Sequence, residues 1–241
     1  MFAEINWYRA FFFLSEGLNW FIAGYIFCLW KWLPTSLKIL GAYLAIIPLF
    51  VALNYSVWYF FEFNTRFLFH LLVPIEFVFF SLFFRQVIQT ERIKRWLTWS
   101  NFLFVAFCVF LIALRVESFW KSSPDITETV MNIFVIVCSL VVFYEIYSSA
   151  AIVKLEKHPV FIVVISIFFF SSTTLILNAT QNFCGYDLHL ADIYYFFTCL
   201  FWIIKSMALF YALWLIYKEY SPPTKTTINS TSEQANESFL N

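Results

Sequence analysis

The chain has 241 residues, of which 62% are hydrophobic and 12% charged, with a formal net charge of zero. A soluble domain of this length carries roughly a quarter charged residues, so there is too little polar surface here to cover a water-soluble globule. The charge balance gives nothing to suggest nucleic acid as a partner. With 34 Phe, 13 Tyr, 10 Trp and 4 Gly, the composition suits lipid-facing helices and their interfaces rather than a Gly-punctuated strand architecture. The apolar runs are unbroken over helix-spanning lengths, which is not the ~10-residue alternation of a transmembrane barrel. The predicted fold class is all-α, a polytopic bundle of about seven transmembrane helices.

A span needs about 20 mostly apolar residues. In chain order the stretches that qualify are Ala10–Leu29, Leu37–Trp58, Phe67–Phe84, Trp96–Leu114, Val130–Tyr147, Val160–Leu177 and Ile193–Tyr217. The first is read as a retained span, because Glu4 and Arg9 precede it and no small-x-small cleavage site ends it. Trp32-Leu33-Pro34-Thr35-Ser36 reads as a short turn, and Ser123-Pro124-Asp125 followed by Glu128 as a capped helix start. Pro159 stands where a helix begins, since its missing N–H costs nothing there. From Ser221 to Asn241 the composition turns Ser/Thr/Asn-rich, which predicts a disordered polar tail after a membrane domain of residues 1–220.

The basic residues set the expected orientation. Lys31, Lys38, Arg85, Arg92, Lys94, Arg95, Lys154, Lys157, Lys218 and Lys225 fall on one side of such a bundle, and Arg9, Arg66, Arg115 and Lys121 on the other. The positive-inside rule then places the N-terminus outside and the C-terminus in the cytoplasm of a bacterial inner membrane.

Ionisable groups within spans are expensive, and a functional role is the default expectation for them. Lys205 lies mid-span in the seventh stretch, on the same helical face as Tyr194, Thr198, Ala208 and Ala212, so it should point into the bundle. Glu76 in the third stretch lies at a depth that agrees with that of Lys205 to within roughly 5 Å at the helical rise per residue. An ion pair between them is the natural expectation, either structural or touching a ligand. Glu16, Asn19, Asn54, His70, Glu128, Asn132, Ser171, Thr174 and Asn178 all fall in the outer part of their spans. Glu16 with Asn19, and Ser171 with Thr174 and Asn178, share helical faces. They predict a polar cavity open to the outer face with Glu76 and Lys205 at its floor; interhelical hydrogen bonding is the alternative reading of the same residues.

Other residues carry weaker signals. Glu145 reads as solvated near the inner end of its span, Pro74 as a tolerated break in the third, and His189 with Asp192 as part of a solvated loop. Of the five cysteines, Cys28, Cys108, Cys138 and Cys199 read as small apolar side chains between helices and Cys184 as a loop residue. No zinc or disulfide spacing is present, nor HExxH, GxSxG, a Gly-rich phosphate loop or CxxC, so neither catalytic residues, a metal nor a cofactor is expected.

A mid-depth lysine in the last helix facing a third-helix carboxylate resembles the Schiff base and counterion of microbial rhodopsins. The chain departs from that family at Phe201, where the family has an Asp, and in the sixth stretch, which lacks its Trp and Pro. Asn64, Ile75-Glu76-Phe77, Pro159-Val160-Phe161 and Lys205 together resemble a family of multi-pass, about seven-span membrane proteins of Bacteroidota, over roughly Asn54 to Tyr217. That family more often has His where this chain has Lys205. The resemblance implies a stand-alone sensory or accessory membrane module working with a membrane or signalling protein partner. The expected function is therefore a non-enzymatic sensory or ligand-binding module in the lipid bilayer, taking an unknown small molecule. A small transporter or channel using the Glu–Lys pair, a retinal-binding protein, and a structural subunit of a membrane complex are the alternatives.

Overall fold

A computed structural model describes residues 7–61, 65–120, 124–148, 155, 158–184 and 188–220. Among the described residues there are seven helices and no strand: α1 (Trp7–Leu29), α2 (Thr35–Phe61), α3 (Arg66–Val87), α4 (Glu91–Ala113), α5 (Asp125–Ser148), α6 (Pro159–Cys184) and α7 (Leu188–Tyr220). The last residues of the chain, with Asn64, Lys121, Ser123, Lys154, Lys157 and Lys225, lie outside the described residues.

Six helices, α2 to α7, are long and apolar enough to cross a membrane. The expected seventh, α1, is a full 23-residue helix whose apolar stretch is shorter, Phe13–Leu29. Helices also run past the apolar stretches. α4 starts at Glu91 and so takes Arg92, Lys94 and Arg95 into its first turns, and α7 starts at Leu188, so His189 and Asp192 are helical rather than in a loop. Cys184 likewise ends α6. The reason is common to all three: helix hydrogen bonding continues through the interface, where polar side chains are solvated, while hydropathy marks only the part in hydrocarbon. Pro48 and Pro74 sit inside α2 and α3, and both helices continue through them.

The helix contacts close a cycle, α1–α2–α3–α5–α6–α7 and back to α1, with α4 resting on α3 outside it. Sequential neighbours run antiparallel, while α1 and α7 run parallel, as the pairs Phe11–Phe196, Asn19–Ser206 and Phe21–Phe210 show. The upper end of the bundle therefore collects the N-termini of the odd-numbered helices with Arg9, Arg66 and Arg115. The lower end collects Lys31, Lys38, Arg85, Arg92, Lys94, Arg95 and Lys218.

The interior is unlike at its two ends. Ile26, Leu37, Leu40, Phe83, Phe84, Val142, Val163, Leu213 and Ile216 fill the lower half as one apolar cluster. In lipid such a cluster holds by dispersion and close fit rather than by escape from water. Close fit is visible at Gly41, where a methyl group would run into Cγ2 of Ile26 across the α1–α2 seam. The buried serines Ser81, Ser100, Ser139 and Ser166 each donate to a backbone carbonyl, so they leave no free polar group there. α4 joins through a separate cluster in which Phe77 stacks on Phe104 at 3.9 Å, with Phe134, Cys108 and Met131 around them.

Two carboxylates from outside the helix concerned close the α4 and α5 starts. Glu117, buried, accepts from the backbone N–H groups of Ile126 and Thr127 and from the Thr127 hydroxyl. Glu145, at the far end of α5, accepts from the N–H of Gln89 and of Thr90 and from the Thr90 hydroxyl. Both place negative charge on a helix N-terminus, where free N–H groups and the helix dipole favour it. Glu117 thus closes the start of α5, where Ser123 of the expected capped start lies outside the described residues, and Glu145 is a clamp rather than a merely solvated group. Glu117 reaches its place because α4 ends in a Schellman turn. Arg115 N–H bonds Ile112 O, Val116 N–H bonds Leu111 O, and Arg115 takes φ 57°.

Candidate functional site

Lys205 is the centre of the polar half. It stands about 14 Å below Phe196, where the apolar span of α7 begins. Its position on the face that also carries Ser206, Leu209 and Ala212 turns it inward, and it is 6% exposed. Its Nζ lies 3.7 Å from the ring centre of Trp202, one turn earlier on α7, and 3.9 Å from that of Phe170 on α6. The Tyr43 ring of α2 is 5.9 Å away. Cation–π contacts of this kind supply about 2 kcal/mol each when desolvated, which offsets part of the cost of burying an ammonium. Nζ nonetheless has no hydrogen-bond partner.

The expected direct pair with Glu76 is not formed. Lys205 Nζ is in no hydrogen bond, whereas Lys94 and Glu91 pair at 2.8 Å on the surface of α4. Glu76 instead accepts a 2.7 Å hydrogen bond from the Tyr43 hydroxyl, so Tyr43, with its ring toward Lys205, stands between the two charges. The cycle of helices sets α3 and α7 opposite one another, with α2 and α1 on one side and α5 and α6 on the other, and the Tyr43 side chain of α2 reaches in between the two charges. Lys205 feels Glu76 and Glu16 as its opposite charges, both beyond contact distance.

α1 supplies the rest of the site. Asn19, fully buried, accepts from the Ser206 hydroxyl at 3.2 Å, and its Nδ2 has no partner. Glu16, one turn above on the same face, has a buried Oε2 that is also without a partner. Three polar atoms of α1 and α7 are therefore buried and unmatched: one ammonium, one amide N–H donor and one carboxylate oxygen. A neighbouring layer lies nearer the upper end, where Asn178 of α6 bonds Glu128 of α5, and Glu128 in turn acts electrostatically on Glu76. Asn132 is buried on the same helix as Glu128, with an unpartnered Nδ2. Ser171 and Thr174 are buried on the α6 face that carries Asn178.

Two expected members stand apart. Asn54 lines a shallow recess between α2 and α3 with Phe50, Val51, Leu68, Phe69 and Leu72. His70 is buried beneath the α4–α5 connection, its ring 5.6 Å from that of Phe119. Tyr43, Phe170, Trp202 and Ser206 belong to the site but were not among the expected residues. Trp202 carried a readable signal, three residues before the lysine and so above it on the same face. Tyr43, a lone hydroxyl in the aliphatic run around Leu40–Ile47, carried a fainter one. Of the cysteines, Cys108, Cys138 and Cys199 are buried between helices, whereas Cys28 is exposed.

Comparison with protein-family models, curated proteins and solved structures finds no match to this chain.

Proposed function

We propose that this protein is a non-enzymatic sensory membrane module that binds a small polar ligand between α1 and α7, admitted from the upper end of the bundle. The observation that carries this reading is the set of unmatched buried atoms, Lys205 Nζ, Asn19 Nδ2 and Glu16 Oε2, on α1 and α7 above an apolar plug. Buried polar atoms in a bilayer cost several kcal/mol each when unmatched, and a ligand carrying complementary groups removes that cost. The plug favours a one-sided receptor over a conduit, because a transport path needs polar or wettable groups through the lower half as well. By the positive-inside rule the basic lower end faces the cytoplasm of a bacterial inner membrane, so the site opens outward. The short described connections hold no signalling domain, so the reading includes a membrane or signalling partner, in keeping with the resemblance to Bacteroidota multi-pass proteins.

The test is one-sided accessibility. In proteoliposomes of a variant with all native cysteines replaced by alanine, a membrane-impermeant maleimide should label Asn19→Cys only from the side that labels Arg115→Cys. Leu213→Cys should resist labelling from both sides. Labelling of Leu213→Cys from the Arg92 side, or solute flux through the protein, overturns the receptor reading in favour of transport.

A further inference from the structure

We infer that the ligand of the α1–α7 site is a small zwitterion carrying one carboxylate and one primary ammonium, an amino-acid-like molecule. This inference rests on the proposed receptor reading and names its ligand class.

The argument is one of matching charges held apart. Lys205 and Glu16 are residues of opposite charge type that form no ion pair with each other. Each presents an unmatched hydrogen-bonding atom, and Asn19 adds an unmatched donor one turn below Glu16. An ammonium has three N–H donors. The Trp202 and Phe170 rings lie against Lys205 Nζ at 3.7 and 3.9 Å, and Nζ still has no hydrogen-bond acceptor.

A bare anion would satisfy Lys205 and Asn19 but be repelled by Glu16 and Glu76. A bare cation would satisfy Glu16 but be repelled by Lys205. A molecule with both charges satisfies each end: its carboxylate accepts from Lys205 Nζ and Asn19 Nδ2, and its ammonium donates to Glu16 Oε2. No charge is added to a low-dielectric site, where a net charge is most costly. The aromatic rings around the lysine also supply an apolar wall for a short carbon chain. No bond is made or broken.

The test uses the full-length protein in lipid nanodiscs and isothermal titration with L-alanine, β-alanine and 4-aminobutyrate, a series of increasing charge separation. Acetate, methylammonium and glycine betaine are the controls, the last a zwitterion with no N–H to give to Glu16. At least one of the primary-amine zwitterions should bind saturably, and the three controls should not. Glu16→Gln and Asn19→Leu should each weaken that binding, Glu16→Gln by about thirtyfold or more, as loss of one partner of a buried charge contact does. Lys205→Arg, which keeps the charge, serves where Lys205→Gln fails to fold, and should alter the preferred chain length. Binding of acetate or methylammonium as tight as that of the zwitterions overturns the inference, as does binding indifferent to Glu16→Gln, or no zwitterion binding at all. If Asn19→Cys is labelled from one side but no zwitterion binds, the ligand class is wrong and the receptor reading stands. If Asn19→Cys is inaccessible, both fall.

Discussion

Tyr43 donates a 2.7 Å hydrogen bond from its hydroxyl to Glu76 and joins α2 to α3 at the level of the buried ammonium. Tyr43 is 2% exposed, so its hydroxyl has no water to fall back on. Tyr43→Phe should lower stability by about 1.5–3 kcal/mol, the range for a hydrogen bond to a charged group. Melting of the detergent-solubilised variant reads the loss. The double variant Tyr43→Phe/Glu76→Leu should lose less than the sum of the two single ones, because the carboxylate left stranded in the first is gone in the second.

The carboxylate caps make a second prediction. Glu117→Ala strips the Ile126 and Thr127 N–H groups at the start of α5 of their acceptor in a buried setting, while the Thr127 hydroxyl keeps Pro124 O, and should cost about 3 kcal/mol. Glu145→Ala removes a similar set at a more exposed place and should cost about 1 kcal/mol. Hydrogen exchange should localise each effect, to the first turn of α5 in one case and of α4 in the other. Equal losses in the two variants would show that burial does not govern the caps.

Gly41 permits the close approach of α1 and α2. Gly41→Ala should destabilise by about 1–3 kcal/mol because the new methyl meets the branched carbon of Ile26 rather than a flexible tip. Ile26→Ala introduced alongside should recover much of the loss, and the double-mutant cycle measures the coupling. Additive losses would place the strain elsewhere.

Arg115 occupies the left-handed backbone region, which costs a side-chain-bearing residue about 1–2 kcal/mol and glycine almost nothing. Arg115→Gly should therefore raise the melting temperature, less the entropy that glycine adds to the unfolded chain. The Glu117 cap should persist in the variant, since the Schellman bonds are made by backbone groups.

What the sequence disclosed, and what it hid, follows from the range of the forces concerned. The helices were legible because hydrocarbon tolerates little else, and Pro159 marked the α6 start because that rule is local. Lys205 and the Ser171, Thr174 and Asn178 face were legible because one helix fixes which of its own residues share a side. The absence of a direct Glu76–Lys205 contact was not, since it depends on Tyr43 arriving from α2. Likewise Glu117 caps α5 from beyond the window in which capping signals are read. Asn54 and His70 shared the depth of the site residues but not their direction. Hydropathy counts depth along a helix and is blind to which neighbour lies across from it.

The cycle of helices is complete without α4, which is fastened to it from α3 by the Phe77–Phe104 stack and the Ser81–Leu97 hydrogen bond and from α5 by Glu145 and Met131. A rearrangement around Lys205 therefore reaches α4 only by way of α3 and α5. The outward aromatic face of α4, with Trp96, Trp99 and Phe102, is thereby the part of the bundle offered to lipid or to a neighbour.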